Sequence, residues 1–159
     1  MNYLLEEKNI KKVMDPVDLN TAAITGARIS LAKGDKVAVL LAMGASVGAT
    51  VQVTLNQHTA ASGGTSKVLT VANPYFHKAG AATEFTKVEP SAASMFDISS
   101  VFAANAGVVV FEISGDQLDT DNGYAHFSVD IADSGAAKIG AACYIMSDCR
   151  HKPAYAVAL

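Results

Sequence analysis

The chain has 159 residues and a formal charge of −3 at pH 7, which fits one ordinary domain and argues against a broad basic field for nucleic acid. Half of it is hydrophobic, but 28 residues are Ala, whereas Val, Ile, Leu and Phe together number 40, enough for a thin two-layer core. Charged residues make up 17%, below the roughly 25% of ordinary soluble domains, so Ala, Gly, Ser and Thr must cover much of the surface, a composition suited to contact with other protein chains.

The first 20 residues mix apolar pairs with Glu6, Glu7, Lys8, Lys11 and Lys12 and carry Asp15 before Pro16. That is unlike a secretory leader, implies synthesis in the cytoplasm, and predicts an extended N-terminal arm outside the core. A short helical turn is expected over 18–23. Ala27, Ile29 and Leu31 then alternate with Arg28 and Ser30, as in a strand with one face buried. Residues 37–43 are continuously apolar and read as a central strand covered on both faces. No charge occurs between Lys36 and Lys67, yet this run is far short of the ~20 apolar residues a membrane span needs.

Alternation is clearest where Val51, Val53 and Leu55 oppose Thr50, Gln52, Thr54 and Asn56, and again where Phe127, Val129 and Ile131 oppose His126, Ser128 and Asp130. Residues 107–113 and 139–146 are continuous runs like 37–43, again expected to be covered on both faces. Breaker clusters lie at 32–35, 44–48, 62–66, 73–74 and 119–123. Strands near Ala27, Val37, Thr50, Lys67, Ala82, Val108, Tyr124 and Ile139 predict an all-β fold, a single antiparallel β-sandwich or barrel-like domain of about eight strands. Helical turns are expected only at 18–23, at 97–104 with Asp97 as N-cap, and at 116–118. The implied organisation is an arm over 1–20, a domain over 21–148 and a C-terminal tail over 149–159.

Few residues combine into chemistry. His58, His77, His126 and His151 fall on different elements without the spacing that offers a metal two ligands from one element. Cys143 and Cys149, on one predicted strand, would stand roughly 20 Å apart, too far for a disulfide, and read as reduced thiols. Ser62, Gly63, Gly64 and Thr65 lack the glycine two places before the serine that a nucleophile elbow requires, and Lys67 leads into a strand rather than the helix of a phosphate cradle. The acidic turn from Asp116 to Gly123 has oxygen-ligand character without the remaining positions of a calcium loop. Tyr75, Phe76, His77 and Lys78 form the one basic-aromatic cluster, better explained by core closure than by base stacking. No catalytic, cofactor-binding or metal-binding residue is assigned, and the expectation is a protein that is not an enzyme.

Four segments together resemble a known family: DLNTAAITGARISL (18–31), TLNQHTAASGGTSKVLTVANPYFHKAGAATEFTKVEP (54–90), GVVVFEISGDQLD (107–119) and HFSVDIADSGAAKIGAACYIMSDCRHKPAY (126–155). They are similar to head decoration, or capsid cement, proteins of tailed bacteriophages and to related virion structural proteins. The resemblance implies a protein made in the bacterial cytoplasm that sits on the capsid exterior. There it would bridge neighbouring copies of the major capsid protein, without a cofactor, nucleic-acid readout or membrane, and commonly as a homotrimer. For the contacts, the arm and tail are the expected parts, with Tyr3, Leu4, Leu5, Ile10, Val13, Arg150, Lys152 and Tyr155 as interface residues. Two other readings are a head-tail connector or tail component, and a glycan-binding β-sandwich for host adsorption, for which the aromatic supply is thin: five Tyr and no Trp.

Overall fold

The structure, a computed structural model, describes residues 8–31, 35–89, 92–102 and 104–147. Among these residues twelve strands are present: β1 (Asn9–Asp18), β2 (Ile24–Thr25), β3 (Ile29–Ser30), β4 (Lys36–Met43), β5 (Gln52–His58), β6 (Ser66–Val68), β7 (Tyr75–Ala79), β8 (Thr86–Val88), β9 (Met95–Asp97), β10 (Gly107–Ser114), β11 (His126–Ile131) and β12 (Ile139–Ser147). One helical turn, α1 (Ser99–Phe102), and two 3-10 turns at Gly115–Gln117 and Thr120–Asn122 complete the elements. The first sheet has the order β1-β12-β4-β10-β7-β8. The second follows β2-β11-β5-β6, with β3 also on β11 and β9 also on β5. Their pairings are antiparallel, and the two sheets pack as a sandwich.

The core follows from the period of two along each strand, which sends alternate side chains to opposite faces. From the first sheet come Val37, Val39, Leu41, Val109, Phe111, Ile113 and Tyr144; from the second Val53, Leu55, Phe127, Val129 and Ile131, and all are buried. Each fully buried aliphatic side chain contributes roughly 1.5–3 kcal/mol of transfer free energy. Tyr75, Phe96 and Phe111 close one end, with Phe96 and Phe111 at 5.1 Å between ring centroids.

Several expectations need correction. Residues 9–18 are no arm outside the core: β1 is an edge strand paired along its length with β12, from Asn9 opposite Met146 to Asp18 opposite Ile139. Val13, Met14 and Leu19 are buried in the core, so Val13, expected at an interface, is structural. The strand was hidden in the sequence because register shifts between Lys12 and Met14 and between Met14 and Val17 break its alternation. Pro16 is tolerated because an edge strand has a side with no ladder to interrupt.

The helical turn expected over 18–23 is instead a bend in which Asp18 Oδ1 accepts from the Asn20 N–H at 3.1 Å. The helix at 97–104 contracts to α1, with Asp97 Oδ1 accepting from the Ser99 N–H at 2.9 Å. Around Ala82 the chain turns between β7 and β8 rather than forming a strand. Lastly, the continuous runs in β4 and β10 are covered on one face alone, as their alternating burial shows.

Candidate interaction surface

The outward side chains of the first sheet form rows that cross it from strand to strand. The longest spans all six strands. Lys12 stands opposite Cys143, Cys143 opposite Leu40, Leu40 opposite Val110, Val110 opposite Phe76, and Phe76 opposite Lys87. Four apolar or weakly polar side chains thus lie between two lysines. On one side runs the row Ala141, Ala42, Val108 and Lys78; on the other Ile10, Ile145, Ala38 and Glu112. The apolar members are half-buried by one another, except Ile10, which is 44% exposed.

This face carries no second layer among the described residues. An open sheet face is ordinarily polar, because its alternate side chains meet water. Here its centre is Leu, Val, Phe, Ala, Ile and Cys, in the arrangement that marks contact with another protein. At one margin lies a cavity of about 260 Å³ lined by Lys36, Val37, Ala38, Asn73, Glu112, Ile113 and Ser114. It is smaller than the roughly 300–1,000 Å³ of typical small-molecule sites.

The outward face of the second sheet is built differently. His58 on β5 is buried and has a hydroxyl on each ring nitrogen: Ser66 Oγ at 2.6 Å from Nδ1 and Ser128 Oγ at 2.8 Å from Nε2. Asp130, two places after Ser128, accepts from Asn56 Nδ2 at 2.8 Å and from the Gly26 N–H at 3.2 Å. Arg28 donates to the carbonyls of Ala60 and Gly63 and to Ser66 Oγ, pinning the loop after β5. Burial lowers the His58 pKa, with the nearby positive charges of Arg28 and His126 adding to it; burial raises that of Asp130. The serine-histidine-serine chain has the components of a proton relay. However, Ser128 is completely buried and Ser66 is held by both His58 and Arg28, so what the arrangement does is lock the register of β5, β6 and β11.

Of the expected interface residues, Ile10 lies on the open face of the first sheet, Val13 lies in the core, and Tyr3, Leu4, Leu5, Arg150, Lys152 and Tyr155 fall outside the described residues. Cys143 is a free thiol on the open face, its pKa raised by burial, and Cys149 falls outside the described residues. In the acidic turn, Asp119 is ion-paired with Lys67 and accepts from Asn122 Nδ2 at 2.8 and 2.9 Å. Among the described residues no three His, Cys, Asp or Glu side chains converge as a metal site, and no helix is long and apolar enough to cross a membrane.

Leu40, Val110, Phe76 and Cys143 were not expected as surface residues. The signal that could have found them is the run of small and aliphatic residues at both parities in 37–43 and 107–113, which an open face explains as well as a second covering layer. Comparison of the chain with protein-family models, with curated proteins and with solved structures gives no match.

Proposed function

We propose that the chain is a non-enzymatic virion structural protein of a tailed bacteriophage, a decoration protein that binds the assembled capsid surface and bridges neighbouring copies of the major capsid protein. The observation that carries this reading is the open apolar face of the first sheet, with its six-strand row from Lys12 to Lys87. The resemblance of the four segments to decoration proteins supports the same reading and supplies the identity of the partner. In this role the protein acts from the capsid exterior, as a homotrimer.

Decoration works by mass action. A ligand that binds the assembled lattice and not free subunits shifts the equilibrium toward the intact shell, and many copies multiply a small increment. A rigid sandwich with a preformed apolar face is suited to this, because little conformational entropy is lost on docking.

The test is to mix purified protein with capsid shells of the parent phage that lack it, and to count bound copies. Binding at the stoichiometry of the lattice supports decoration. Six or twelve copies confined to one vertex would identify a connector or tail component instead, and no binding overturns the proposal. Light scattering of the free protein tests the trimer.

A further inference from the structure

We propose that the free edge of β1 pairs with β1 of a second copy, antiparallel and about a two-fold axis at Asn9, joining two first sheets into one. The inference goes beyond the decoration reading and does not depend on it, since it concerns two copies of this chain.

β1 is the outermost strand of the first sheet, with β12 on one side and no backbone partner on the other among the described residues. At the opposite margin β8 has three residues, too few for a strong ladder, whereas β1 has ten. From Asn9 to Lys12 its register against β12 is unbroken and its residues are exposed; the register shifts and Pro16 come later. A regular, unpaired stretch of this kind presents its N–H and C=O groups as a template for another strand.

The charges select which strand. Two copies of an edge strand paired antiparallel are related by a two-fold axis normal to the sheet, which places one residue opposite its own counterpart. With Asn9 in that place, Glu6 stands opposite Lys12 and Glu7 opposite Lys11, and the symmetry repeats both, giving four pairs of opposite charge, while Lys8 meets Ile10. Centring on Glu7, Lys8 or Lys11 opposes a charge to itself, and centring on Ile10 opposes Lys8 to Lys12. Opposite charges directly across a ladder stabilise it and like charges destabilise it, so partner and register are chosen together. Both lysines are available: Lys12 is held by Asp15 in an exposed ion pair, and Lys11 donates to the Arg28 carbonyl at 3.2 Å in an exposed bond.

The same complementarity would suit a hairpin folded back within one chain with its tip at Asn9. The structure excludes this, because Asn9 and Ile10 lie extended in the ladder opposite Met146 and Ile145. A second copy is the occupant that remains.

An axis normal to the sheet keeps both open faces pointing the same way, so joined copies can lie side by side on one surface. In a trimer the axis acts between rings rather than within one, and ties one trimer to the next. The contact is small, so it is expected to be weak between free molecules and strong where copies are held at high local concentration.

The experiment uses the full chain carrying Cys143→Ser and Cys149→Ser. Opposed Cα atoms in an antiparallel pair lie about 4.5–5.5 Å apart, within disulfide reach, so Asn9→Cys can close on its own counterpart across the axis. Under mild oxidation at high protein concentration, Asn9→Cys is expected to form disulfide dimers roughly tenfold faster than Thr86→Cys on β8, and salt at about 500 mM to slow it. Adding Lys11→Glu and Lys12→Glu is expected to cut the rate roughly tenfold, and adding Glu6→Lys and Glu7→Lys on top to restore it, because both halves of each pair are then exchanged. Circular dichroism checks folding; if the glutamate variant fails to fold, Glu6→Lys with Glu7→Lys alone, outside β1, is expected to give the same loss. Equal rates for Asn9→Cys and Thr86→Cys, or a rate indifferent to the charge exchange, overturn the inference. Neither result touches the decoration reading, which is tested on shells.

Discussion

The backbone N–H of Val129 donates to Tyr144 Oη at 3.1 Å, a hydrogen bond that leaves the ladder of one sheet and crosses the core to a side chain of the other. Tyr144 is fully buried and also packs on Phe127 at 6.0 Å between centroids. Burial is the main reason its pKa is pushed far above the ordinary tyrosine value, so the phenol stays protonated. Tyr144→Phe keeps the packing and removes the acceptor. It is expected to cost about 1–3 kcal/mol, the desolvation penalty of a buried N–H left unsatisfied. Urea denaturation of the two proteins checks this; an unchanged midpoint would show that Val129 finds another acceptor.

A second expectation concerns acid. His58 has a lowered pKa because burial, then Arg28, then His126 disfavour its cation. Below the ordinary histidine value of 6.5 the unfolded chain takes up a proton that the folded chain resists, so stability falls from there toward the folded pKa. Asp130 acts in the opposite sense in a more acidic window: its raised pKa lets the folded state protonate first, which adds stability as pH falls through that value toward 3.8. Thermal melts from pH 8 to pH 5 are expected to decline below ~6.5, and His58→Gln to flatten the slope. Ser128→Ala, which leaves His58 Nε2 without its partner, is expected to cost about 1–3 kcal/mol at neutral pH.

Lys138 is 2% exposed, with its ammonium donating to the Phe102 carbonyl at 3.0 Å. Burial lowers its pKa. The folded state therefore releases this proton before the unfolded state does, and stability should rise with pH between the folded pKa and 10.5. Lys138→Met fills similar volume without charge. It is expected to match or exceed the wild type in melting temperature at pH 7 and to lose the alkaline rise; a large loss of stability would mean that the bond to Phe102 outweighs desolvation.

Gly107 begins β10 where it meets β7. A Cβ there would lie 2.2 Å from the Lys78 carbonyl oxygen and 2.8 Å from Ala79 Cα, backbone atoms that cannot swing aside. Gly107→Ala is thus expected to destabilise by about 1–3 kcal/mol through a local parting of the two strands. Amide exchange should show faster opening in β7 than in β11.

Cys143 reports on the open face directly. It sits on β12, one strand in from the edge of the sheet, half-buried, with a thiol pKa raised by burial, and should alkylate slowly at neutral pH. In a Cys149→Ser background, docking to shells should slow the reaction further. An unchanged rate on fully decorated particles would place the contact elsewhere.

Strands whose alternation is intact were readable in advance. Val51, Val53 and Leu55 are buried along β5 and its approach, as are Phe127, Val129 and Ile131 in β11, because a period of two reports one wet face and one dry face. β1 was not readable, since its bulges shift the parity between Lys12 and Val17. Two-residue pairings such as β2 and β3 are too short for any period. The open face escaped notice for a different reason: a strand facing solvent with Leu40 or Val110 has the same local pattern as one facing a second layer. The meeting of Ser66, His58 and Ser128 depends on registers between segments distant in the chain, information that no local window contains.

The pairing of β1 with β12 also sets an order of events during synthesis. Asp18 Oδ1 accepts from the Lys138 N–H, 120 residues further on. A chain emerging from the ribosome therefore presents its first strand long before the neighbour that completes it has been made. Until β12 arrives, β1 lacks its partner strand and one edge of β4 is unpaired, a state prone to mispairing between nascent chains. Closure of the first sheet is therefore a late and topologically slow step.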